Sequence, residues 1–282
     1  MKYVFLIIAV LIIAAFLYYQ NHKLDVTNYK ITSSDIANTV KIVHLSDLHS
    51  QPRRNVYECV KKVRPDLIMI TGDYINDKCK RKDKMLEFGK ELADVAPVYY
   101  ITGNHERRLE NFEELMEELR GVGFNVLLDE IKTVTVNGTD INILGLDENQ
   151  ASHENYRERK NGTFVYKDES PLFNELAEKD GFKIALSHFP ENFEGVSEMN
   201  YSQYDFDLQL SGHAHGGQFI LPFVGSVYSP GQGLFPKYAR GSHGDRPKLI
   251  VSRGIGNAEF PFRLFNHPEI IAIRLSKPLE KD

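Results

Sequence analysis

Three patterns of apolar positions succeed one another along the chain. The first is Val4 to Tyr19 (VFLIIAVLIIAAFLYY), uncharged without a break, with Lys2 before it and Gln20, Asn21, His22 and Lys23 after it. At 16 residues it falls just under the roughly 17–25 that cross a bilayer, and Tyr18 and Tyr19 suit an interface. A cleaved signal wants small residues shortly before the cut. Here the run ends in bulky Leu17-Tyr18-Tyr19, and Ala14-Ala15 lies too far inside it. The expectation is an uncleaved, single-pass membrane helix over residues 1–20. Lys2 stands against Lys23, so charge barely sets orientation, and the adopted reading places the remainder outside the cytoplasm.

Gln20 to Thr39 are polar and aperiodic, which suits a tether (residues 21–39) or a first edge strand. From Val40 the second pattern sets in, a regular alternation of strand-like and helix-like stretches. Val40–Leu45 (VKIVHL) is β-rich, and Arg54–Val63 carries Val56, Cys59, Val60 and Val63 at helical spacing before Pro65. The continuous apolar run of residues 66–70 predicts a strand covered on both faces. A charged helix over residues 83–93, a strand over 97–101 and an amphipathic helix over 109–120 follow. In that last helix Phe112, Leu115, Met116 and Leu119 form the inward stripe and the acidic face is solvated.

The third pattern is richer in strands. Residues 133–136 and 140–146 flank Asn137-Gly138 and read as a hairpin, because Asn-Gly supplies the positive φ of a tight turn. Further strands are expected at 183–186, 206–210, 248–251 and 270–273. Residues 151–168 read as a long polar surface loop, and with 238–247 they are the candidates for selecting substrate. Strand–helix alternation followed by hairpins predicts an α/β fold in which mixed sheets pack with helices outside. One domain over residues 40–282 accounts for all of it.

Composition narrows the function classes. A net charge of −5 offers no basic stripe for a nucleic-acid backbone, so no nucleic-acid partner is expected. Two cysteines, Cys59 and Cys79, exclude a disulfide framework and are read as unpaired thiols. The ten histidines are more informative, because several sit in short motifs with Gly, Asp and Asn.

Each expected strand is followed at once by such a motif: Ser46-Asp47-Leu48-His49, Thr71-Gly72-Asp73, Thr102-Gly103-Asn104-His105-Glu106, Ser187-His188-Phe189-Pro190, and Ser211-Gly212-His213-Ala214-His215-Gly216-Gly217. Ligand sites of open α/β sheets gather beyond the carboxyl ends of strands, so motifs far apart in sequence converge in space. Carboxylate oxygens, imidazole nitrogens and an amide oxygen, with no thiolate, suit Mn, Fe, Zn or Co. Singly, Asp is a common turn residue and His is more often structural. Jointly, Asp47, His49, Asp73, Asn104, His188, His213 and His215 read as metal ligands. His44, between Val43 and Leu45, reads as core. His153 and His243 read as exposed, and His22 and His267 carry no signal.

This series resembles the calcineurin-like metallophosphoesterase superfamily over roughly residues 40–275. His213-Ala214-His215-Gly216-Gly217-Gln218 and residues 252–257, with Pro261-Phe262-Arg263 and Pro268-Glu269-Ile270, resemble its YkuE/YaeI-like branch, which also commonly carries an N-terminal membrane or export segment. The resemblance implies a four-layer αββα sandwich with two divalent metal ions between the sheets. It implies one ion on Asp47, His49, Asp73 and His215, and the other on Asp73, Asn104, His188 and His213, with hydroxide between them as nucleophile. His105 matches the family's non-ligand histidine, the candidate acid for the leaving oxygen. Glu106 gains no role from it. For Arg253 and Arg263, contact with substrate phosphate and a plain surface position both stay open.

The expected activity is therefore hydrolysis of a phosphoester or pyrophosphate, and a membrane anchor brings lipid-borne phosphates within reach. The rivals are a cell-surface nucleotide or cell-wall phosphodiesterase and, further off, a non-catalytic scaffold that should have lost ligands.

Overall fold

A computed structural model describes residues 2–79, 81–148, 158, 161–194, 199–257 and 260–278. The apolar N-terminal run lies in one helix, α1 (Lys2–His22), of 21 residues. At 1.5 Å per residue it is about 32 Å long, near the thickness of a bilayer core. It is long and apolar enough to cross a membrane, and an anchor and a signal sequence both fit that description. Only its end is covered by the rest of the chain, through Gln20 and Asn21.

Of the two readings of residues 20–39, an edge strand is what forms. β1 (Asp25–Thr32) follows α1 after Lys23 and Leu24, and alternates half-buried and exposed positions. It pairs in parallel with the last strand, β16 (Glu269–Ser276), from Asp25 beside Glu269 to Thr32 beside Ser276. The pairing was invisible in sequence because its partner lies at the far end of the chain.

The alternating region then builds a sheet. β2 (Val40–Leu45), β3 (Leu67–Thr71), β4 (Val98–Ile101) and β5 (Phe124–Val126) are parallel, and β16 joins them antiparallel to β2, giving the order β1-β16-β2-β3-β4-β5. The crossovers are α2 (Arg54–Val63), α3 (Lys82–Ala93) and α4 (Phe112–Gly121). Arg64, in the left-handed region at φ 53°, ends α2 just before Pro65. α4 starts at Phe112, three residues later than its pattern predicts, and buries Phe112, Leu115, Met116 and Leu119 as expected.

The second sheet has the order β14-β15-β9-β8-β7-β6. β6 (Glu130–Val136) and β7 (Thr139–Gly145) form the expected hairpin, with φ of 51° at Asn137 and 75° at Gly138. Both central residues at positive φ make the turn whose twist matches flanking strands. After α5 (Ser170–Ala177) come the parallel strands β8 (Phe182–Leu186) and β9 (Leu208–Ser211). Four two-residue strands follow: β10 (Ile220–Leu221), β11 (Gly225–Ser226), β12 (Tyr228–Ser229) and β13 (Gly233–Leu234). β14 (Gly241–His243) and β15 (Lys248–Val251) complete the sheet. Residues 238–247 are thus no free loop: they hold an edge strand, and Tyr238 is buried. Half of the 151–168 segment, residues 151–157 and 159–160, lies outside the described residues.

The two sheets face each other across an apolar layer that includes Ile42, Met69, Ile101, Ile143, Leu186 and Leu210. The opposite face of the first sheet packs Val43, Ile70 and Tyr100 against α2, α3 and α4. Leu144 and Ala185 of the second pack against Phe173 and Leu176 of α5. This is the αββα layering, an α/β fold of two mixed six-stranded sheets. Cys59 and Cys79 are half-buried free thiols.

Candidate metal centre

The carboxyl ends of β2, β3, β4, β8 and β9 deliver their polar motifs to one place between the sheets. The turns that do this are backbone-demanding. Asp47, His49, Asp73, His213 and His215 all sit in the left-handed region, at φ between 47° and 63°. Non-glycine residues there are uncommon and persist where the surroundings over-determine them. Gly72 shows why a side chain is excluded beside Asp73: at φ 81°, an added Cβ would stand 2.6 Å from Gly103 N and 2.7 Å from His188 Nδ1.

Two triads result, Asp47–His49–His215 and Asp73–His188–His213, each with ligand atoms within 4.8 Å of one another and all buried. Asp73 joins them. Its Oδ2 is 3.8 Å from His49 Nε2 and 3.4 Å from His188 Nε2. Its Oδ1 accepts the His105 backbone N–H at 2.9 Å, which fixes the carboxylate plane. In the other triad, His215 Nε2 is 3.3 Å from Asp47 Oδ1. Both Asp47 oxygens also accept the His213 backbone N–H, at 3.1 Å each. Asn104 turns its Oδ1 to within 3.3 Å of His188 Nε2.

The donor set tests whether a cation fits. His188 Nδ1 stands 2.8 Å from the Thr71 carbonyl oxygen, which only accepts, so Nδ1 carries the proton. Its Nε2 lone pair is then aimed at Asp73 Oδ2 and the Asn104 amide oxygen, both acceptors. Acceptors converging on acceptors in a buried site are what a metal ion reconciles. The electrostatics show the same demand for positive charge, which a proton on Nε2 meets when no cation does. Burial works against a charged His188 ring, yet the adjoining Asp73 and the nearby Asp47 push its pKa up to about 10. Burial also opposes the Asp47 and Asp73 carboxylates, but His215 and His188 respectively hold them below the usual range. The residues present fit two divalent cations sharing Asp73.

His105 stands at the rim. Its Nε2 is 4.0 Å from Asp73 Oδ2, its Nδ1 is 3.3 Å from Asp77 Oδ1, and the ring meets His49 edge-on. Unlike the seven buried residues it keeps partial exposure. His44 is core, as its pattern implies, with Nε2 against the Thr71 hydroxyl at 2.8 Å.

Two residues matter that sequence reasoning left without a role. Glu106 is fully buried and accepts the backbone N–H groups of Asp73 (3.0 Å), Gly103 (2.9 Å) and Ile75 (2.8 Å), clamping the β3 and β4 turns together. Burial, and then the charge of Asp73, push its pKa up to about 7. Glu148 does the same for His188. It accepts the His188 N–H at 2.8 Å, the Ser187 hydroxyl at 2.9 Å and the Asn192 amide at 2.6 Å. Its signal was present in the sequence: Leu146-Asp147-Glu148 is one more polar motif at a strand end, after β7.

Both arginines are engaged by the protein's own groups. Arg263 is fully buried, donates to the carbonyl oxygens of Arg253 (2.7 Å) and Gly256 (2.5 Å), and backs the His215 ring at 3.3 Å from Nδ1. Arg253 pairs with Glu269 and Asp25 at 3.0 and 3.2 Å. The remaining described histidines are structural: His267 meets Asp25, His22 stacks on Tyr18, and His243 is half-buried beside Tyr238.

His49 also lines a cleft of about 760 Å³, together with Arg53, Arg54, Lys78, Arg81 and His22, the last residue of α1.

The chain is similar to known proteins. The sequence profile of the calcineurin-like phosphoesterases matches residues 40–217. The chain is 29% identical to an uncharacterized metallophosphoesterase of Aquifex aeolicus, over 95% of this chain and 97% of that one. It is 28% identical to the uncharacterized metallophosphoesterase YkuE of Bacillus subtilis, over 92% and 87% of the two chains. To the phosphodiesterase YaeI of Escherichia coli it is 25% identical, over 86% and 84%.

Proposed function

We propose that this chain, which belongs to the calcineurin-like phosphoesterase family, is a membrane-anchored hydrolase acting on a phosphoester or pyrophosphate carried by an amphiphile. That it is a metal-dependent phosphoesterase follows from the family and from its His/Asp clusters. The observation that carries the finer reading is the basic cleft between His49 and His22. A phosphate held there borders both His49 and the end of the apolar helix, since His49 and His22 line the same cleft. Arg53, which also donates to the Asn21 carbonyl at 3.0 Å, ties the cleft wall to α1.

In this reading Asp47, His49 and His215 hold one ion, Asn104, His188 and His213 hold the other, and Asp73 is shared. Two bound divalent cations supply Lewis-acid stabilisation of the phosphoryl oxygens and a nucleophile drawn from water at neutral pH. The protein supplies the rest. Glu106 and Glu148 fix the turns that present Asp73 and His188. Arg53, Arg54, Lys78 and Arg81 attract and orient the anionic substrate. His105 delivers a proton to the leaving oxygen from the rim. The catalytic domain faces away from the cytoplasm, where α1 holds it within reach of the lipid surface.

The test uses the full chain in vesicles, stripped with chelator and refilled with Mn, Fe, Zn or Co. Bis-p-nitrophenyl phosphate is compared with a lipid-linked pyrophosphate in the same membrane. Metal-restored hydrolysis with at least tenfold preference for the lipid substrate supports the reading. Equal rates on both remove the amphiphile, and no metal-restored hydrolysis of either removes the metal centre.

A further inference from the structure

Outside α1, the exposed large apolar side chains of the described residues concentrate in two short segments, 221–235 and 260–265; Val26 and Val165 are the exceptions. Phe223 is fully exposed, and Leu234 and Phe235 are 68% and 64% exposed. The two segments form one surface. Ile220 donates its N–H to the Leu264 carbonyl at 3.0 Å, and Phe219 lies against the rings of Phe260 and Phe262 at 5.4 and 5.7 Å. The small hairpins continue it: Val227 donates to the Phe219 carbonyl at 3.0 Å, and Phe235 to the Val227 carbonyl at 2.9 Å.

An apolar surface of this kind on a water-exposed domain is a contact site for something. Its backbone makes the exposure harder to dismiss. Phe223, Phe235 and Phe265 all lie at positive φ, 64°, 54° and 52°. A bulky residue there is a conformational outlier, and outliers cluster where a segment has a task. These three gain little burial in return within the chain.

The position of the surface identifies its partner. Phe265 meets Phe16 of α1 edge-on, ring centroids 5.8 Å apart. Phe16 lies inside the apolar run, six residues before the helix ends at His22, which puts Phe265 about 9 Å along the axis from that end. If Val4–Tyr19 occupies lipid, Phe265 is at acyl depth beside it. The junction is rigid at its base: Asn21 Oδ1 accepts Asn257 Nδ2 at 3.0 Å and the Arg263 backbone N–H at 3.1 Å. Near the other end, Lys237 and Arg240 line a hollow with Val224 and Phe235, a placement suited to anionic headgroups.

We infer that residues 219–235 and 260–265 form a second membrane contact, an apolar apron beside α1 that seats the catalytic domain on the bilayer. Phenylalanine and leucine side chains dip into the acyl boundary while Lys237 and Arg240 stay with the headgroups. The apron begins two residues after the Gly217 end of the His213–Gly217 loop, so the seat also fixes the height of the metal centre above the lipid. This inference rests on α1 entering the membrane and not on the reaction catalysed.

The chain contains no tryptophan, which allows a direct test in the full-length protein. Three single-tryptophan variants are reconstituted in phosphatidylcholine–phosphatidylglycerol vesicles with and without lipids brominated at shallow acyl positions. Phe5→Trp reports α1, Phe223→Trp reports the apron, and Lys132→Trp reports β6 at the opposite edge of the second sheet. The expected result is blue-shifted emission, at least twofold quenched by brominated lipid, for Phe5→Trp and Phe223→Trp, with Lys132→Trp unquenched. Unquenched, water-like emission from Phe223→Trp beside a quenched Phe5→Trp overturns the apron and leaves the anchor. Emission that is blue-shifted but unquenched, and that rises with protein-to-lipid ratio, assigns the surface to a second copy of the chain. An unquenched Phe5→Trp removes both anchor and apron.

Discussion

His49 Nε2 lies 3.0 Å from His215 Nε2, across 166 residues of sequence. The rings are nearly stacked, with centroids 4.9 Å apart. At most one of these nitrogens donates to the other, and the Asp47 and Asp73 carboxylates press in from either side. The pair is suited to a cation, as the proposed metal centre requires, and the consequences are measurable.

Asp73 Oδ2 faces an imidazole Nε2 of each triad, His49 in one and His188 in the other. Asp73→Ala should therefore empty the pair, not one ion of it. Metal content by elemental analysis should fall from two equivalents to below one, and hydrolysis by roughly 10³-fold or more, given several kcal/mol of transition-state stabilisation from the ions. Retention of two tightly held ions would mean that Asp73 is not shared.

His105→Asn should keep both metals and slow turnover according to the leaving group. A general acid contributes about 10²–10⁴-fold, and the loss should be greatest for alkyl esters and smallest for p-nitrophenolate, which leaves without help. Equal loss on both, at unchanged metal content, would reassign His105 to binding.

Glu106 uses two oxygens to accept three backbone N–H groups. Glutamine offers one acceptor, so Glu106→Gln must leave at least one buried N–H unpaired, at a cost of about 1–3 kcal/mol. For a chain of this size that lowers Tm by a few degrees, about 2–4 °C per kcal/mol. Metal affinity should weaken about 10–100-fold, as for other residues that orient ligands. Calorimetry and metal titration of the same sample read both effects.

Glu169 gives a pH dependence away from the metals. Burial first, then Asp129 and Glu148, push its pKa up to about 7 from 4.5, against Lys167. Between those values the folded chain binds more protons than the unfolded one. Stability from this group is therefore complete below pH 4.5, falls as pH rises through 7, and is level above. Glu169→Gln removes the slope. Its Tm relative to the natural chain should be more favourable at pH 8 than at pH 5, and an unchanged difference would refute the assignment.

Much of this was legible in sequence because it is local. An apolar run ending in Ser-Asp or Thr-Gly-Asp states both that a strand is buried and that its carboxyl end carries chemistry. Parallel strands in one sheet put such ends on one side, so the convergence of Asp47, His49, Asp73, Asn104, His188, His213 and His215 in one place was legible in the sequence. The hairpin at Asn137-Gly138 and the stripe of α4 were legible for the same reason, a two-residue turn and a 3.6-residue period.

Long-range pairing was not legible. β1 is polar, aperiodic and half-exposed, and becomes a strand only because β16, more than 200 residues away, offers it an edge. In sequence Arg263 left a surface position and a phosphate contact both open, yet it is buried behind His215, where two loop carbonyls receive it. Glu106 and Glu148 gain their roles from backbone N–H groups that only the folded turns present. The sequence by itself determined which polar side chains stand at the strand ends and that they share metal-ligating chemistry. Tertiary structure alone decided which buried carboxylates hold them in place and which apolar residues are left facing outward beside α1, because hydrogen-bond satisfaction and burial are properties of the assembled chain.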